Sequence, residues 1–285
     1  MSRELYDITG KVVLITGAAR GIGAEAARQL YGRGAQLSLV GLEPEELERR
    51  AAELGPRAAW FEADVTDLEA LGQAVEATVE HFGGIDVLIA NAGVAPIGTV
   101  STIDPGVFER TIEINLLGVW RTVRTALPHV VRRQGYVLPI ASLAAALHLP
   151  LMAHYAATKA GVEAFSDALR SEIAHTGTKV GVAYFSFIDT DMVRVTFDDS
   201  AARQLRESSP GPFKAVTPLP AAGRAIVRGV ERRTRQVYAP RWVPAVLAMR
   251  GFLQPFLEKQ NRAAIEEAVR VAEAEAKSAE KSTVS

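Results

Sequence analysis

The sequence predicts a doubly wound α/β fold: one parallel sheet with helices on both faces, three layers in a single domain. Three observations lead there. Short apolar runs alternate with helical patterns along most of the chain. The first apolar run ends in a glycine-rich turn that opens into a helix. Hydrophobic residues make up 48% of the 285 positions, enough for a sizeable core.

Val12 to Ile15 is an unbroken apolar run, the pattern of a strand buried on both faces. Thr16 and Gly17 end it, and Gly21, Ile22 and Gly23 open a helix over Ala24 to Leu30. Gly17 permits the tight turn, Gly21 lets backbone approach a pyrophosphate, and Gly23 lets the helix pack close to the strand. Unpaired N–H groups gather there at the positive end of the helix dipole, which favours a phosphate. The spacing is Gly-x3-Gly-x-Gly, not the more usual Gly-x-Gly-x2-Gly.

The second strand is 36–41, and Pro44 suits the first turn of the charged helix after it, 45–54. The third strand, 58–61, leads to Asp64-Val65, and Asp67 is the N-cap of a helix to Phe82. The fourth strand, 85–90, runs into Asn91-Ala92-Gly93. A long helical pattern covers 105–132, a fifth strand 136–141, a long helix 151–175 and a sixth strand 180–185. Ligands of such sheets bind at the carboxyl ends of the strands, where these motifs fall. Pro139 cannot donate to a ladder, so a bulge is expected near Ser142.

The last third is less regular. Residues 190–217 are polar, with Ser208-Ser209-Pro210-Gly211-Pro212, and suit a mobile lid. A helix is expected over 221–232 and a short edge strand over 236–239. Residues 242–257 are apolar but interrupted by Pro244, Arg250 and Pro255. They are expected to bury against a partner subunit in preference to lying on a membrane. Residues 261–281 read as a solvated or frayed helix.

A net charge of −1 argues against nucleic acid or an anionic membrane as partner. The absence of cysteine excludes disulfides, thiolate metal sites and cysteine nucleophiles, and no metal site is expected. Met1 to Gly10 carries Arg3, Glu4 and Asp7 and does not read as a secretory leader. Residues 134–158 lack formal charge, but Pro139 and Pro150 divide them, so no transmembrane span is expected. A soluble, cytoplasmic protein is the expectation.

Tyr155 and Lys159 stand four apart, on one helix face. A free phenol titrates near pH 10, and a close ammonium favours the phenolate, so Lys159 is expected to lower Tyr155. Ser142, at the end of the fifth strand, can donate to a substrate carbonyl while Tyr155 supplies a proton. With T-G-A-A-R-G-I-G at 16–23, Asp64-Val65, A-N-A-G at 90–93, Asn115 in I-N-L-L-G, Ser142 and Y-A-A-T-K at 155–159, the chain resembles the short-chain dehydrogenase/reductase family over roughly 10–195.

That resemblance implies a Rossmann-type fold and a catalytic tetrad of Asn115, Ser142, Tyr155 and Lys159. Tyr155 would be the general acid/base, with hydride passing between a nicotinamide and a carbonyl carbon. Lys159 would also hold the nicotinamide ribose, and Asn115 a water linking Lys159 to solvent. Asp64 and Val65 would contact the adenine, and Asn91, with Ala92 and Gly93 after it, would steady the strand beside the cofactor. The chain is expected to divide into a 1–240 oxidoreductase domain with its lid and a 241–285 helical extension, and the resemblance implies a homodimer or homotetramer through the two long helices.

Two departures bear on the cofactor. Many NAD-using members carry Asp after the second strand; here Gly41, Leu42 and Glu43 stand there. Arg20 could pair with a ribose phosphate, whereas Glu43 would oppose one or bind the ribose itself. NADP is slightly favoured over NAD. The family's Pro-Gly after the sixth strand is Ser186-Phe187, with Ile188 as the expected carboxamide contact and Thr190 retained.

Around the site, Ala144, Leu147, Leu149 and Met152, with Pro96, Ile97 and His148 near, suit an apolar secondary alcohol or ketone. His154 is expected to be structural. The rival readings are a non-catalytic nucleotide-sensing protein and an interaction subunit docking through 242–257.

Overall fold

The structure is a computed structural model describing residues 5–283. Met1 to Glu4 and Val284-Ser285, on which the reading of no secretory leader and the two ends of the domain assignment partly fall, lie outside the described residues. Strand β1 (Val12–Thr16), helix α1 (Gly21–Tyr31), β2 (Gln36–Gly41), α2 (Pro44–Leu54), β3 (Ala58–Glu62), α3 (Leu68–Phe82) and β4 (Val87–Ala90) follow in the expected order. Pro44 stands in the first turn of α2, and the Asp67 carboxylate accepts from the N–H groups of Glu69 and Ala70 to cap α3. The long pattern over 105–132 forms α4 (Pro105–Ile112), a wide π turn (Glu113–Leu117) and α5 (Gly118–Arg132). Then come β5 (Tyr136–Pro139), α6 (Ala153–Glu172), β6 (Lys179–Val180) and β7 (Val182–Phe185). The remainder is α7 (Asp191–Asp198), α8 (Ser200–Ser208), α9 (Leu219–Arg232), β8 (Gln236–Ala239), α10 (Val243–Gln260) and α11 (Arg262–Thr283).

The main sheet is parallel in the order β3-β2-β1-β4-β5-β6, and β8 pairs in parallel with β7. Strand order reverses between β1 and β4, which opens a crevice beyond their carboxyl ends. Alternate residues of β1 feed two cores. Val13 and Ile15 pack with Leu30, Leu37 and Ile226 on one face, and Leu14 packs with Leu88, Val123 and Val162 on the other.

The expected bulge near Ser142 is instead a gap in the neighbouring strand. Gly181 N–H donates to Val137 C=O, and Ala141 N–H donates to Ala183 C=O. Pro139 lies between them and has no N–H to offer. Register is unchanged across the gap, with Val137 opposite Val180 and Ile140 opposite Ala183, so no residue is inserted. Gly181 also clears space for Tyr136, whose hydroxyl donates to Thr234 C=O at 2.8 Å. A Cβ on Gly181 would lie 2.0 Å from that hydroxyl.

The last third is more ordered than its composition suggested. The polar stretch 190–217 holds α7, α8 and a short 3₁₀ turn. Trp242 caps, and residues 243–257 lie in, the continuous helix α10, which turns Val243, Val246, Leu253 and Leu257 into the core of its own chain. Met249, Phe252 and Phe256 on the same helix are exposed. Helix α11 is not simply solvated: Ala268 is fully buried with Leu151 and Ala201, and Val269 and Ala272 pack beside it. Small residues let the helices approach closely there, a property that an Ala- and Glu-rich composition hides. Among the described residues, no helix is long and apolar enough to cross a membrane.

Candidate active site

The glycine turn is built as its spacing requires. Gly17 and Gly21 have φ of +65° and +56°, where an L side chain is strained. A Cβ on Gly23 would fall 2.2 Å from Gly17 O, so only glycine lets α1 start this close to β1. No side chain caps the N-terminus of α1. Its amide groups and dipole therefore fit a phosphate. Asn91 donates its side-chain amide to Thr16 O at 3.0 Å and Gly17 O at 3.1 Å, and its backbone N–H to Thr16 Oγ1 at 3.1 Å. The ends of β1 and β4 are thus tied together. Thr190 caps α7 through Val193 N–H and brings its methyl group over Gly21.

A cavity of about 1140 Å³ opens at this crevice. Arg20, Gly41, Glu43, Asp64 and Val65 line it, with Gly17, Gly21 and Ile22, and then Asn91, Ala92, Gly93, Ile188, Thr190, Tyr155 and Lys159. Thr16 and Gly23 stand behind this lining. Arg20 is paired with Glu43 at 2.6 Å, and a Cβ on Gly41 would lie 3.6 Å from the Glu43 carboxylate.

Asp64 accepts from Thr66 N–H at 2.8 Å and from the Arg110 guanidinium at 3.0 Å. Burial pushes its carboxyl up, but these hydrogen bonds outweigh it and hold it below the ordinary carboxylate value. Sequence reasoning missed Arg110. It also donates to Thr66 Oγ1, fastening α4 to the end of β3.

The π turn sets Asn115 facing inward, fully buried. Its Oδ1 accepts from Val94 N–H and its Nδ2 donates to Val94 C=O, both at 2.8 Å, with Thr158 Oγ1 at 3.3 Å. Ser142 stands with Tyr155 in the lining of this cavity. The Ser142 Oγ donates to Phe185 C=O at 3.3 Å and accepts from Ala144 N–H at 3.1 Å. Lys159 Nζ lies 5.5 Å from the centre of the Tyr155 ring and donates to Ile140 C=O at 2.9 Å. The predicted tetrad is therefore gathered in one place.

The expected direction for Tyr155 is not found. Burial pushes the phenol above its ordinary value, opposed by the Ser142 side chain. Burial also lowers Lys159 to about 8. Both charged forms lose water here, and the ammonium is turned toward a carbonyl. Spacing reported the proximity of the pair, not its depth.

A second cavity, about 550 Å³, meets the first at Ser142 and Tyr155. Ala144, Leu147, His148, Leu149, Met152 and Ile97 line it as expected, whereas Pro96 borders the first cavity alone. Phe187, Phe197, Phe213, Leu257 and Ile265 were not foreseen. The Ser186-Phe187 loop is held by Ser186 N–H to Ala239 C=O and by Thr217 N–H to Phe187 C=O. His154 is buried, with Nε2 3.0 Å from Pro96 O, away from the phenol.

A sheet whose switch point opens on a cavity lined by both the glycine turn and the Tyr155 phenol fits the class of NAD(P)-dependent oxidoreductases. Residues 11–201 match the family model described as short chain dehydrogenase. Nodulation protein G of Rhizobium sp. (strain N33) is 36% identical over 192 residues, covering 66% of this chain and 77% of its own. The 11-beta-hydroxysteroid dehydrogenase-like 6 of Arabidopsis thaliana is 34% identical over 263 residues, covering 88% of this chain and 76% of its own. A crystal structure of 3-ketoacyl-(acyl-carrier-protein) reductase from Brucella melitensis, complexed with NADH, superposes with a TM-score of 0.72 at 26% identity, over 82% of this chain and 99% of that one. The chain belongs to the short-chain dehydrogenase/reductase family.

Proposed function

We propose that this enzyme interconverts a secondary alcohol and a ketone on a mainly apolar small molecule, with Tyr155 as general acid/base. The meeting of the two cavities at Ser142 and Tyr155 carries the reading. The glycine turn would hold the pyrophosphate, Asp64 and Val65 would flank the adenine, and Lys159 would hold the nicotinamide ribose. When bound, the cofactor supplies or takes up the hydride. Ser142 orients the substrate oxygen, and Tyr155 gives or takes its proton. Asn115 keeps the wall behind Lys159 in place and would support the water leading out from it. The apolar lining and the relative named as a hydroxysteroid dehydrogenase support a bulky apolar substrate.

In this reading residues 1–240 form the oxidoreductase domain, with 190–217 as its lid, and 241–285 form the extension. A homodimer or homotetramer through the two long helices is part of the proposal; exposed Trp120 on α5 supports it. A cytoplasmic location rests on the sequence alone. The test is a panel of apolar secondary alcohols and ketones, followed by nicotinamide absorbance with each cofactor. Turnover of bulky apolar members is expected. Cofactor binding with no turnover of any member would favour a nucleotide-sensing protein.

The slight preference proposed for NADP comes from Gly41, which leaves the strand end without an acid, and from Arg20 at the ribose end. Glu43 limits it, because a 2′-phosphate must displace that carboxylate from Arg20. Glu43→Gln should therefore raise the ratio of kcat/KM for NADP over NAD by about tenfold, equivalent to about 1.4 kcal/mol. Arg20→Ala should lower the same ratio. An unchanged ratio in both variants would remove this pair from cofactor choice.

A further inference from the structure

We infer that α10 and α11 are the specificity element of this site: they close the outer end of the substrate cavity and limit the apolar body that can stand behind the carbonyl. The inference rests on the alcohol–ketone reading above. Both helices lie beyond the residues matched by the family, which end at 201. The Brucella melitensis reductase, covered over 99% of its length, accounts for 82% of this chain. Leu257, Asn261, Ala264 and Ile265 line the substrate cavity and take no part in the cofactor cavity. They therefore belong to the substrate side of the point where the two cavities meet.

The wall is fastened at several points. Gln254 on α10 grips both backbone atoms of His148, accepting from its N–H at 2.9 Å and donating to its C=O at 3.1 Å. Arg250 pairs at 2.9 Å with Glu163, on the same helix as Tyr155 and Lys159. Helix α11 then bridges both rims of the mouth. Glu273 accepts from Ser101 at 3.0 Å on the loop after β4, and Glu275 accepts from Ser200 at 2.7 Å at the start of α8. Exposed polar contacts add little one by one, but buried Ala268, packed with Leu151 and Ala201, adds an apolar contact to both rims.

The same wall sets the chemistry of what fits. The charged side chains at this cavity are already hydrogen-bonded: Glu258 on α10 accepts from Gln254 at 2.6 Å, and Arg206 on α8 stacks 4.3 Å from the Phe197 ring and donates to Lys214 C=O. An uncharged apolar body meets the remaining Leu, Ile, Ala and Phe surface without displacing these contacts.

The test compares cyclohexanone with 4-phenylcyclohexanone in full-length enzyme. Ala264→Trp should lower the ratio of kcat/KM for the larger over the smaller ketone at least tenfold, and Ile265→Ala should raise it. Ratios within twofold of wild type in both variants would overturn the inference while leaving the alcohol–ketone reading intact. If wild type turns over neither ketone, that reading fails instead. The wall is then read by the melting-temperature shift that 4-phenylcyclohexanone produces. Loss of the shift in Ala264→Trp supports the wall; an equal shift, or none in wild type, overturns it. Should Ala264→Trp fail to fold, Ile265→Ala alone decides.

Discussion

Tyr155→Phe should lower kcat/KM by about 10²- to 10⁴-fold in both directions, the range associated with a positioned proton donor. The change removes one oxygen, and the ring still fills its place, so cofactor affinity should stay within about threefold of wild type. Burial raises the Tyr155 phenol, which is therefore protonated in the free enzyme at neutral pH. That is the form needed to reduce a ketone. Alcohol oxidation needs the deprotonated form and should speed up as pH rises, while ketone reduction should not. Steady-state rates in both directions between pH 6 and pH 10, with cofactor binding followed by fluorescence, check this. Turnover above a tenth of wild type in the Phe variant would remove Tyr155 from proton transfer.

Lys159→Met should abolish turnover and, at neutral pH, make the protein harder to unfold. The ammonium is held at about 8 against an ordinary 10.5, and burial is the cause. The folded state thus binds this proton less tightly than the unfolded chain does. Below pH 8 both states carry it, and the folded state bears the full penalty. The penalty shrinks as pH rises from about 8 to 10.5. At about 1.4 kcal/mol per tenfold change in proton affinity, it amounts to about 3 kcal/mol at pH 7. Losing the hydrogen bond to Ile140 offsets about 1 kcal/mol. A net gain of about 2 kcal/mol is expected in urea unfolding at pH 7, and little or none at pH 10.5. A Met variant no more stable than wild type at pH 7 would show that the ammonium is not strained.

Much of this site could be read along the chain because its pieces are local. Gly17, Gly21 and Gly23 lie within one turn and a helix start, and Asp67 caps the helix that it begins. Tyr155 and Lys159 share a helix face by spacing alone. What escaped notice depends on distant partners. Arg110 reaches Asp64 across 46 positions. The gap at Gly181 needs both Pro139 on the next strand and the Tyr136 hydroxyl above it. Ala268 reads as surface until Ala201 and Leu151 are brought against it. The direction of the shift at Tyr155 depends on how little water reaches it, which no spacing records.

The wide turn at Glu113–Leu117 acts as a phase shifter. Such a turn inserts about one residue into an α-helix, which rotates everything before it by about 100° relative to everything after. Trimming one residue there would swing Arg110 off the acid at the end of β3 and turn Asn115 out of the protein. A single-codon deletion, far milder on paper than any charge reversal, would thus unfasten the adenine end and the wall behind Lys159 together.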